Sequence, residues 1–117
     1  ALFDPSTRTL FSADGFGALL EKPAETAADV APAALRDGMI GWAMVDAPWL
    51  SGLDGATFAR SLAALHDLAP DRVLSSHLPP AEGMLDRLTG NLAAALTAPP
   101  FEGPDQAAME AMMAQAA

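Results

Sequence analysis

Two short apolar runs, each closed by one chemically useful side chain, constrain this chain more than any other feature. "TLFSADGFG" (9–17) passes through β-type residues to Asp14, with Gly15, Phe16 and Gly17 directly behind it. "RVLSSHLPP" (72–80) repeats the arrangement with His77 in place of the aspartate and Pro79 and Pro80 close behind. Both read as strands that stop where the chain bends away. The carboxyl ends of strands are the rigid edge on which α/β folds build their sites, so Asp14 and His77 are the candidate functional pair.

The rest of the chain fits around them. "ALF" and "TLFSA", separated by "DPSTR", form a hairpin, because Asp4-Pro5-Ser6 is favourable turn chemistry. Residues 15–31 read as a long loop, beyond the ~12–15 residues usual for structureless connections. A helix starts at Pro32, with Leu35, Met39, Trp42 and Ala43 at helical spacing, and breaks at "DAPWLSGLDG". Asp54 caps a second helix carrying Phe58, Leu62 and Leu65, and Pro70 stops it. After "RVLSS" comes a third helix with Leu85, Leu88, Leu92 and Leu96, then a last one with Met109, Met112 and Met113. The expected order is β-hairpin, two helices, strand, two helices, in one α/β domain.

A chain of 117 residues supports one modest core and not two. Its net charge of -9 repels phosphate backbones and anionic lipid, which argues against nucleic acid and membrane partners. Without cysteine there is no disulfide framework and no thiolate ligand, so any metal is held by His and carboxylates. No apolar run approaches the ~20 residues of a membrane helix, and "ALFDP" lacks a basic leader, so the expected location is cytoplasmic. The chain opens inside a strand, which suggests that a preceding part is missing.

Each candidate has a plain alternative. Asp before Gly is common turn chemistry, and a histidine after a strand is often bonded to a backbone carbonyl. His66 lies mid-helix and reads as a solvated or half-buried side chain. A serine hydrolase built from Ser75 or Ser76 with His77 is disfavoured, because adjacent residues on a strand point to opposite faces. As a pair, Asp14 supplies a carboxylate able to bridge two cations ~3.5–4 Å apart, and His77 supplies one imidazole nitrogen as a terminal ligand.

"LFDPSTRTLFSADGFGA", followed about sixty residues later by "DRVLSSHLPPAEG", resembles the metallo-β-lactamase superfamily, closest to its flavodiiron and oxygen-binding di-iron branch. Ser12, Asp14, Phe16 and Gly17 match that branch's Ser-x-Asp-x-Phe-Gly pattern, and Ser76 and His77 match its Ser-Ser-His strand end. The resemblance implies that 1–117 is the C-terminal half of an αββα sandwich, with the N-terminal half absent. It implies two metal ions, iron or zinc, in the intact parent. The chemistry would be O₂ or NO binding or reduction with a redox partner, or zinc-dependent hydrolysis. The family's His-x-His/Glu-x-Asp-His loop cannot be written from a chain whose only histidines are His66 and His77. Two ligands do not hold a di-metal centre, so the chain alone is expected to bind metal weakly and to be inactive.

Four further expectations follow. Phe16 either walls the metal pocket or packs in the core. Trp42 and Trp49 either line a substrate mouth or pack in a core or interface. The methionine-rich last helix either docks on the parent domain or makes the chain an interaction or dimerisation module. Half a sandwich also leaves an apolar sheet face, so a covering half or an oligomer partner is expected.

Overall fold

The computed structural model describes residues 1–116. Leu2–Asp4 (β1) and Thr9–Ala13 (β2) form the first hairpin. Its turn closes on Asp4, whose carboxylate accepts from Ser6 N–H at 2.9 Å and from the Ser6 and Thr7 hydroxyls at 2.7 Å. Pro32–Asp46 (α1) and Gly55–Leu68 (α2) follow, then Arg72–Ser75 (β3) and Leu78–Glu82 (β4), and finally Leu85–Ala95 (α3) and Gln106–Ala116 (α4). The long first loop contains a single 3₁₀ turn at Ala27–Asp29, and a second 3₁₀ turn, Pro48–Gly52, separates α1 from α2. Asp54 caps α2 as its sequence position indicates, accepting from Thr57 N–H at 2.8 Å. No helix among the described residues is long and apolar enough to cross a membrane.

The four strands make one mixed sheet in the order β1-β2-β3-β4, antiparallel except for the parallel β2–β3 pair. Its register sorts the side chains into two rows. Phe3, Leu10, Val73 and Ala81 lie across from one another, and Leu10, Val73 and Ala81 are buried. They pack in one cluster with Leu35 and Met39 of α1 and Leu88 of α3. Full burial of each large side chain there contributes about 1.5–3 kcal/mol. The neighbouring row, Leu2, Phe11 and Leu74, faces the other way. Leu2 and Phe11 are 66% and 41% exposed. Period-2 alternation thus leaves an apolar sheet face uncovered.

β4 corrects the sequence-based element order, in which β3 stood alone and Pro79 and Pro80 turned the chain away. Leu78–Glu82 instead pairs back on β3, through Ser75↔Leu78 and Val73↔Ala81. Two prolines enter this strand because β4 is at the sheet edge and because Pro79 and Pro80 together oppose Leu74. That two-against-one bulge relieves the ladder of a donor that proline lacks.

Gly38 sets how closely the first loop approaches α1. A Cβ there would lie 2.4 Å from the Leu19 carbonyl oxygen, and the missing side chain lets Leu19 N–H donate to Gly38 O at 3.0 Å.

Candidate functional site

β2 and β3 are parallel neighbours, so their carboxyl ends lie side by side. The ladder is carried one step further by Ser76 N–H, which donates to Ala13 O at 2.8 Å, while the Ser75 hydroxyl donates to the same carbonyl at 3.0 Å. Register shifts between Phe11 and Ala13, where Ser12 has no partner opposite. This bulge ends on Ala13 at φ 52° and swings Asp14 out of line with the strand. The following turn is closed by Gly15 N–H to Ser12 O at 3.0 Å and by the Ser12 hydroxyl to Gly15 O at 2.7 Å. Phe16, at φ 63°, turns inward and is buried, which favours its core-packing reading. Ala18 N–H then donates to His77 O at 2.9 Å, fastening the loop to the second strand end.

His77 itself occupies the two-residue turn of the β3–β4 hairpin, and not the start of an outgoing loop. Its Nε2 lies 3.3 Å from Asp14 Oδ1, and both side chains remain open to solvent, 43% and 58% exposed respectively. Two donors bonded to one cation at ~2.0–2.2 Å, with the angles of tetrahedral or octahedral coordination, stand about 2.8–3.6 Å apart. The observed spacing therefore suits a shared cation as well as a direct hydrogen bond. Donor number is the shortfall: among the described residues no three His, Cys, Asp or Glu side chains converge on one point.

A third residue belongs to the site that sequence reasoning assigned only to a mouth or to packing. Trp42 of α1 lays its ring against His77, centroids 4.1 Å apart and planes inclined by 34°, and its Nε1–H donates to Asp14 O at 3.0 Å. A Cβ on Gly17 would come 2.5 Å from that Nε1, so the glycine makes the seat for the indole. Below this layer, Phe16, Met39, Trp42, Leu50 and Phe58 line a pocket of about 240 Å³ with Asp14 among its walls. Trp49 also lines it and is 63% exposed, which removes the core from its expected places and leaves the mouth and an interface.

The remaining candidates lie elsewhere. His66 ties α2 to α3: its Nε2 is 2.9 Å from Thr89 Oγ1 and its Nδ1 is 3.4 Å from Asp86 Oδ1. The Thr89 hydroxyl also donates to Leu85 O at 2.9 Å, so the contact is anchored on the α3 backbone. The Ser75 hydroxyl, held by Ala13 O and accepting from His77 N–H at 3.3 Å, is not poised as a nucleophile. No protein-family model, curated protein or solved structure matches this chain.

Proposed function

We propose that this chain supplies one half of a di-metal centre of the metallo-β-lactamase kind, in the di-iron branch that binds or reduces O₂ or NO. The observation that carries the reading is the 3.3 Å approach of His77 Nε2 to Asp14 Oδ1 at the ends of two parallel strands. Their donor types fit iron and zinc alike, and both groups face solvent, where further ligands can reach them. Asp14, whose carboxylate offers two oxygens, would take the bridging role, and His77, with one ring nitrogen, would be a terminal ligand. The other ligands come from outside this chain, from an N-terminal half or an oligomer partner, and a redox partner supplies electrons. Bound metals would contribute Lewis-acid or redox chemistry; this chain's own part is to hold two donors at fixed spacing. With zinc the same site would serve hydrolysis.

Calorimetric titration with Zn²⁺ and with anaerobic Fe²⁺ tests the reading. The wild-type chain should bind weakly, and Asp14→Ala and His77→Ala should each abolish binding. Unchanged binding in both variants overturns the metal role, and tight binding of two equivalents overturns the half-site.

A second reading, an interaction or dimerisation module, has its own support in α4. No residue of that helix is buried, and Met109, Met112 and Met113 are all exposed. Under that reading Asp14 and His77 are a structural contact.

A further inference from the structure

We propose that Trp42 is the positioning residue of the Asp14–His77 pair, an indole clamp that fixes the imidazole plane and the start of the aspartate turn together. The inference deepens the half-site reading by naming what holds the two donors in place, and one arm of its test is independent of metal.

An indole at this position could be plain packing, but its neighbours argue otherwise. Leu35, Met39 and Ala43 of the same helix enter the two buried apolar clusters, whereas Trp42 belongs to neither. Its polar and aromatic contacts go instead to the two candidate donors. The Nε1–H bond to Asp14 O fixes the backbone from which the carboxylate projects. The ring face at 4.1 Å restricts rotation of the His77 imidazole without occupying either nitrogen. Metal ligands are commonly oriented by such outer partners, usually through a hydrogen bond to the second nitrogen. Here the ring face does that work, and its negative quadrupole favours an imidazole made electron-poor by a bound cation. Trp42 offers no ligand atom of its own.

Proton and nitrogen NMR of the full chain tests the clamp without metal. The His77 ring protons should be shifted upfield by the indole, keep part of the shift in Trp42→Phe and lose it in Trp42→Leu, with His66 unchanged throughout. Zn²⁺ titration followed at the His77 nitrogens should show about tenfold weaker binding in Trp42→Leu, with Trp42→Phe between the two, because it keeps a ring face against His77 and loses the Nε1–H bond to Asp14 O. Gly17→Ala, which displaces the indole without removing it, should match Trp42→Leu. Leu88→Ala, a remote core variant, should leave ring shifts and affinity in place. Identical His77 shifts in wild type and Trp42→Leu overturn the clamp, and so does an equal affinity loss in Leu88→Ala. Absence of Zn²⁺ binding in wild type defeats the half-site reading, and the ring shifts then decide the clamp alone.

Discussion

The Ala13 carbonyl accepts from Ser76 N–H at 2.8 Å, and this one bond places Asp14 beside His77 across 63 positions of sequence. It is the last rung of a parallel ladder, reached only because the bulge at Ser12 brings Ala13, and not its predecessor, opposite Ser75. The pair is thus a product of backbone pairing first and of side-chain attraction second. The meeting of these two side chains is inherited from strand register, at the strand carboxyl ends where α/β sheets commonly gather their sites.

Two glycines of α1 should respond to alanine in opposite directions. Gly41 has only the flexible Leu19 Cδ1 near a prospective Cβ, at 3.4 Å, so Gly41→Ala should gain up to ~1 kcal/mol of helix propensity. Gly38→Ala meets the Leu19 carbonyl at 2.4 Å and should cost ~1–3 kcal/mol through a forced backbone shift. Urea denaturation of both variants gives the signs; a gain in both would show that the 18–20 segment does not rest on α1.

Much of this was legible in the sequence, and the misses have physical causes. The Asp4 turn, the Asp54 cap and the Leu35–Met39–Ala43 stripe are local, and each stands where local chemistry puts it. The meeting of Asp14 and His77 could be anticipated because both end apolar β-type runs. β4 could not, since Pro79 and Pro80 read as breakers and only a bulge on an edge strand accommodates them. The role of Trp42 depends on where α1 docks on the sheet, which helical spacing alone does not specify. The spacing grouped it with the core stripe, although it lies one position before Ala43 and points to the sheet edge.

Acid should expose the contribution of Asp54. Its carboxyl is held below the ordinary value of 3.8, chiefly by the Thr57 hydroxyl and then by Thr57 N–H. A depressed folded-state pKa gives stability that is present above 3.8 and is lost as pH falls through the lower folded value. Asp54→Ala should therefore melt below wild type at neutral pH, and the gap should narrow as pH falls below 3.8. Thermal melts across that range check it; a gap independent of pH would mean that the ionised cap is not what stabilises α2.

The uncovered sheet face should govern self-association. Leu2, Phe11 and Leu74 align across three strands, and such apolar rows favour burial against another surface. The double variant Leu2→Thr, Phe11→Thr keeps β-compatible side chains and removes most of the apolar area. Sedimentation velocity should show it shifted toward monomer, with stability changed by no more than about 0.5 kcal/mol per substitution. An unchanged sedimentation profile would place the contact elsewhere.

α4 should be dispensable to folding and decisive for any methionine-mediated contact. A helix whose residues are all exposed adds little to the core, so a chain ending after Pro100 should keep its melting temperature within a few degrees. Met112→Glu with Met113→Glu leaves the helix formers in place and makes the exposed apolar surface acidic. If α4 mediates association, those two substitutions should dissolve oligomers that the Leu2 and Phe11 variant leaves intact. The two sets of variants therefore separate the interaction-module reading from the covered-sheet reading. A large fall in melting temperature on truncation would instead show that α4 docks on the domain in solution, with its methionines inside that contact.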